Sequence, residues 1–175
     1  SLVAVGPEAY NRLYAKMRSV NAMLAWGHAR AIENLLQEVP GCPRAISDQF
    51  GDAEQVKRAL MGRGRKLELV QRHRAESDVA VAAASILARA AFLDGLDTLH
   101  KTYSQKLPKG ASVQVRAAAE ELVLRHEPGV LLKTAKCHFR TTDQVLEKLG
   151  LQRAALGPGG QAKSKPFQYR PRPAG

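Results

Sequence analysis

An α/β layered domain is the fold class this sequence predicts, and three observations predict it. Short apolar runs bounded by turn residues, such as "RAIS" and the "LELV" of "GRGRKLELVQRHR", alternate with segments of helical periodicity. The stretch from about Asp78 to Leu99 is alanine-rich, and its small side chains suit close approach to a sheet. The chain has 175 residues, 45% hydrophobic and 25% charged, which is enough to bury one substantial core.

Along the chain, "SLVAV" reads as a short strand stopped by Gly6 and Pro7. "AYNRLYAKMR", from Ala9 to Arg18, has helical spacing. Asn21 then makes an N-cap for a second helix, in which Met23, Trp26, Ala29, Ile32, Leu35 and Leu36 recur at three- and four-residue intervals. Pro40 and Pro43 end it. "RAIS" is a buried strand of the parallel type, with Asp48 at its carboxyl end. Asp52 opens the helix "DAEQVKRALM". A second strand follows, with Leu67 and Leu69 alternating against Glu68, and Glu76 comes just after it. The long helix buries Val79, Ala82, Ile86, Ala90, Leu93 and Leu96 on one face, and "VQVRAAAEELVLRHE" and "TTDQVLEKLG" supply two more helices. From Leu151 the chain turns rich in Gly and Pro, with five Lys and Arg and no acid, and reads as a basic disordered tail over 151–175, after a domain over 1–150.

With 27 Lys and Arg against 16 Asp and Glu, the formal charge of +11 favours anionic partners, nucleic acid before membrane. Cys42 and Cys137 stand far apart with no CxxC and no Cys/His cluster, so neither a disulfide framework nor a structural zinc site is expected. No uninterrupted run of about 18 apolar residues is present. A cytoplasmic, monomeric protein without membrane contact is the default expectation.

Three acids carry the chemistry. Asp48 and Glu76 each follow a strand, at the sheet end where functional groups collect in α/β folds. If the strands are neighbours, roughly 5 Å apart, the two carboxylates can share a divalent cation, and hard oxygen ligands with open positions suit Mg²⁺ or Mn²⁺. From spacing alone, capping is the favoured account for each acid taken separately. Of the two acids ahead of the long helix, Asp78 is the preferred cap and Glu76 the preferred ligand.

"AYNRLYAKMRSVNAMLAWGHARAIENLL", "AISDQF", "RAESDVAVAAASILARAAFLDGLDTL", "LPKGAS" and "AKCHFRTT" resemble, in order and spacing, ribonuclease HIII, a close relative of ribonuclease HII. The resemblance covers residues 2 to 150. It implies a ribonuclease H-like mixed sheet flanked by helices, and endonucleolytic cleavage of the RNA strand of RNA/DNA hybrids with Mg²⁺ or Mn²⁺. Carried over, the family's third acid falls on Asp48 in "SDQF" and the fourth on Glu76 in "RAES", with Asp78 as second choice because the register there differs by one residue from ribonuclease HII. The family's adjacent Asp-Glu pair on the first strand has no counterpart, since no Asp-Glu dipeptide occurs in the sequence. The expectation is therefore the carboxyl-terminal part of such an enzyme, lacking its first strands and holding half of a metal site. The alternative is a non-catalytic nucleic-acid-binding module.

Lys109 in "LPKGAS" and Lys136 in "AKCHF" are candidate phosphate contacts, set against solvated loop lysines. His138 is expected to make a structural hydrogen bond, and His28 to be a satisfied helix histidine. Arg63 and Arg65 in "GRGR" are similar to the glycine-arginine segment of ribonuclease HII but lie between a helix and a strand, and "GPGG" has no strand before it and no helix after, so both are set aside.

Overall fold

The computed structural model describes residues 1–164. The first helix, α1 (Pro7–Met17), begins with a proline, whose missing N–H costs nothing in the first turn. It ends at Arg18, which adopts a left-handed conformation (φ 54°) and donates its N–H to the Tyr14 carbonyl. α2 (Val20–Glu38) is capped by Ser19, whose hydroxyl accepts from Ala22 N at 3.2 Å. Ser19, rather than Asn21, has the extended backbone a cap requires, because Arg18 has already turned the chain. "SLVAV" forms no strand: no segment among the described residues pairs with it, and an unpaired strand gains no ladder.

β1 (Arg44–Asp48) and β2 (Glu68–Arg72) pair in parallel, in register from Arg44 opposite Glu68 to Asp48 opposite Arg72. Parallel strands need a crossover. It is made by α3 (Ala53–Ala59), capped by the Asp52 carboxylate accepting from Glu54 N at 3.0 Å, and by a 3-10 turn at Gly64–Lys66. α2 runs antiparallel to the strands along their length. Asn21 near its start lies against Gly51, just beyond β1, while the buried Glu33 further along accepts from Met61 N and Gly64 N, both at 2.8 Å, just ahead of β2.

The main core forms between α5 (Val113–Arg125), α6 (Val130–Thr134) and α7 (Arg140–Lys148), around Leu122, Leu131, Cys137, Val145 and Leu146. α4 (Val79–Tyr103) joins it only at its carboxyl end, through Leu96, Leu99 and Tyr103. None of its residues is buried by the described chain, and Val79, Ile86 and Phe92 are 84%, 69% and 55% exposed. The apolar face read from its periodicity is present but uncovered. By length and composition alone α4 is also apolar enough to cross a membrane, its best 18-residue window having a mean hydropathy of 1.7. A search for uninterrupted apolar residues misses this, because scattered polar residues break an otherwise alanine-rich stretch.

Residues 151–164 are not the tail that composition suggested. A 3-10 turn at Arg153–Leu156 sets Leu156 into the main core, and Arg153 is buried. Its guanidinium donates to both oxygens of Asp143, at 2.6 and 3.2 Å, and to the carbonyls of Gly160, Ala162 and Phe139. One arginine with four partners offsets the shortage of apolar side chains that a compositional reading registers. Residues 165–175 lie outside the described residues.

Asn11 ties α1 to this body. Its amide donates to the carbonyls of Leu132 (3.0 Å) and Ala135 (2.8 Å), and its oxygen accepts from Cys137 N at 2.9 Å. Asn11→Ala strands these buried groups and should cost about 2–3 kcal/mol in urea denaturation. A loss below about 0.5 kcal/mol would show that the three bonds do not hold α1 in place.

Candidate active site

Asp48, the last residue of β1, is exposed, and its Oδ1 accepts from Ala75 N at 3.2 Å. Ala75 opens the 3-10 turn Ala75–Ser77, so this bond docks the turn carrying Glu76 onto the carboxyl end of β1. The turn is entered through Arg74, a non-glycine residue in the left-handed region (φ 55°), at a backbone cost of about 1 kcal/mol. Glu76 is exposed and makes no hydrogen bond or ion pair among the described residues. Oδ2 of Asp48 likewise makes no hydrogen bond or ion pair among the described residues.

Asp78 has a different position. Its Oδ1 caps α4 by accepting from Ala80 N at 2.9 Å, and its Oδ2 lies 3.8 Å from the Arg72 guanidinium. The capping role expected for it is present. His28 projects from α2 toward the same strand end, where its Nδ1 pairs with the Ser47 hydroxyl at 3.0 Å and its ring lies 5.1 Å from that of Phe50. Burial pushes its pKa below the ordinary value, although the nearby Asp48 charge pulls the other way. A neutral His28 bonded to Ser47 steadies the end of β1 next to the carboxylate.

For a divalent cation the donor chemistry fits: two exposed carboxylates, one held by a single backbone N–H and one unpaired, offer hard oxygens without having to break an ion pair. The described residues contain no group of three or more His, Cys, Asp or Glu side chains arranged to hold a metal.

Lys109 is exposed in the loop between α4 and α5, without an ion pair among the described residues. Lys136 is exposed, with its Nζ 4.9 Å above the Tyr10 ring. His138 does not make the side-chain hydrogen bond expected of it. Its ring is buried and both ring nitrogens lack a partner among the described residues, because the ring stacks instead on Tyr14 at 4.0 Å. Burial, with Lys136 and Arg153 nearby, pushes its pKa down to about 4, which keeps the ring neutral. The residues the sequence did not single out are those of this stack, Tyr10, Tyr14 and Phe139. The only signal was the recurrence of aromatic residues at Tyr10 and Tyr14, four apart on one helix.

The model of the family described as Ribonuclease HII matches residues 4–142. The ribonuclease HIII of Protochlamydia amoebophila is 44% identical over 149 residues, spanning 85% of this chain and 49% of that protein. That of Chlamydia muridarum is 47% identical over 146 residues, spanning 83% and 48%. Among solved structures, Bst-RNase HIII in complex with Mn²⁺ superimposes with a TM-score of 0.76 at 29% identity, over 83% of this chain and 49% of that one. Aquifex aeolicus RNase H3 gives 0.56 at 30% identity, over 75% and 46%. The chain spans about half the length of the curated relatives it matches.

Proposed function

The chain belongs to the ribonuclease HII family, and on that premise we propose that it carries part of the active site of a ribonuclease HIII-type endonuclease, which cuts the RNA strand of RNA/DNA hybrids with a divalent cation. The observation that supports this best is the bond from Ala75 N to Asp48, which brings the turn bearing Glu76 to the strand end where Asp48 lies. In this reading Asp48 and Glu76 hold Mg²⁺ or Mn²⁺. When bound, such a cation lowers the pKa of water and neutralises charge on the scissile phosphate. The protein's own part is positional. Ala75 N and the neutral His28 fix the Asp48 end of β1, while Asp78 anchors α4 behind the turn. The hybrid is recognised by shape and 2′-hydroxyls, with exposed lysines, Lys109 and Lys136 among them, on phosphates.

The test is cleavage of a labelled RNA/DNA hybrid, with the all-DNA duplex as control, by this chain alone and by the chain joined to a strand that carries an Asp-Glu pair. Metal-dependent cutting of the hybrid by the joined form supports the proposal. No cutting by either form, at saturating metal, rejects it. A second reading, binding without cleavage, is favoured by the lack of a three-ligand cluster among the described residues. It predicts salt-sensitive hybrid binding with no cleavage in either form.

Asp78→Ala separates cap from ligand. Loss of the cap should cost about 1 kcal/mol of stability and leave metal-dependent cutting within a few-fold of the parent. A loss of cutting as large as that of Glu76→Gln would make Asp78 the ligand instead.

A further inference from the structure

Beside the first turns of α2 stands a stack of rings that the proposed chemistry does not use. His138 lies 4.0 Å from Tyr14 and 4.0 Å from Phe139, and Tyr10 lies 5.6 Å from His138 on the same side. The stack is closed at Tyr14 and His138 and opens at Phe139, whose side chain is 49% exposed. Lys136 precedes the stack, its Nζ over Tyr10, and Arg140 follows it at the start of α7. Both cations are exposed, and neither has an ion-pair partner among the described residues.

Its place in the fold is set by α2. Tyr14 packs with Met23 in the first turns of α2, and that end of the helix lies against Gly51, three residues beyond Asp48. The other conspicuous cationic segment, Arg63–Lys66, is at the far end, where Glu33 of α2 meets Gly64 ahead of β2. The ring stack therefore lies level with the amino end of α2, the end that is beside Gly51, and the Arg63–Lys66 turn lies toward the other end of that helix.

A solitary exposed phenylalanine calls for no explanation. Phe139 differs in being held from behind by a neutral, buried ring and in standing between two free cations. Sequence-tolerant contacts to single strands pair an aromatic face for a base with positive charge for the phosphates, and in a paired duplex the surface left for such a ring is that of a backbone sugar. We propose that Phe139, flanked by Lys136 and Arg140, is a contact for a strand of the RNA/DNA hybrid, its ring packing on a backbone sugar while the two cations engage adjoining phosphates. The inference rests on the nucleic-acid reading above and extends it to a surface outside the metal site.

Fluorescence anisotropy with a labelled RNA/DNA hybrid tests it, using the whole chain without divalent metal so that nothing is cut. Phe139→Leu keeps an apolar cover over His138 but removes the aromatic face. It should weaken binding roughly threefold or more with an unchanged dependence on salt. Phe139→Tyr should stay within about twofold of the parent. Lys136→Gln should lower the slope of log K against log salt by about one unit. Melting curves establish that each variant is folded. Tight binding by the parent with equal binding by folded Phe139→Leu would overturn this contact and leave the nuclease reading standing. Equal weakening by Leu and Tyr would also overturn it, since loss of fit rather than of stacking would then be the cause. A parent chain that binds no hybrid would overturn this contact, while the nuclease reading stands or falls by the cleavage assay on the joined form.

Discussion

Asp48→Asn should remove metal-dependent cleavage of an RNA/DNA hybrid while leaving the fold intact. Asparagine keeps an oxygen at the same place, so the bond from Ala75 N that docks the Glu76 turn survives, and only the charge is lost. Cleavage should fall by more than the roughly 10–100-fold that loss of an outer partner of a metal ligand costs. Glu76→Gln should match it, and because the exposed Glu76 side chain makes no hydrogen bond or ion pair among the described residues its melting temperature should not move. The comparison is made in the form of the enzyme that carries the Asp-Glu pair. Retained cutting by both variants, with saturating Mn²⁺ unable to account for it, would remove the two residues from the site.

The largest stability effect is expected at Arg153. Arg153→Met preserves much of the aliphatic volume but leaves Asp143 without its bidentate partner and three backbone carbonyls without a donor. Breaking a buried pair from one side costs about 3–5 kcal/mol. Since Asp143 remains partly wetted, the lower end, about 3 kcal/mol in chemical denaturation, is the expected value. The pH dependence has a definite sign. Arg153, first by its hydrogen bonds and then by its charge, holds the Asp143 carboxyl below its ordinary value of 3.8, with Lys163 adding to this. The ionic part of the stabilisation is therefore complete above that value and is lost as the pH falls through the lower folded one. The gap between parent and variant should narrow in strong acid. A gap of under 1 kcal/mol at neutral pH would mean that residues 151–164 are not held by this arginine.

Periodicity and punctuation made most of the body legible. Proline and glycine marked the ends of β1, Asp52 and Asp78 announced their helices as caps, and the strand before Glu76 lay where Leu67 and Leu69 alternate. These are local signals, carried by neighbours in sequence. What escaped was set by partners far along the chain. "SLVAV" has the composition of a strand but no described segment to pair with. Arg153 read as one more charge in a basic tail, although its acceptors lie ten residues back and seven and nine ahead. His138 was expected to bond through a nitrogen and instead uses its face, because Tyr14, more than a hundred residues earlier, brings a ring against it. Of the candidate site, the placing of Asp48 and Glu76 just after the two strands was readable. That Ala75 N would tie one to the turn of the other was not, since backbone donors leave no mark in a sequence.

The seat of Glu33 carries an evolutionary consequence. A methyl group at residue 64 would stand 2.7 Å from the Glu33 carboxylate oxygen, and also 2.8 Å from a Leu60 methyl. The acid needs the backbone N–H of residue 64 within reach, and any side chain there would meet both the acid and Leu60. Among descendants of this chain residue 64 should therefore stay glycine for as long as either Glu33 or Leu60 is kept.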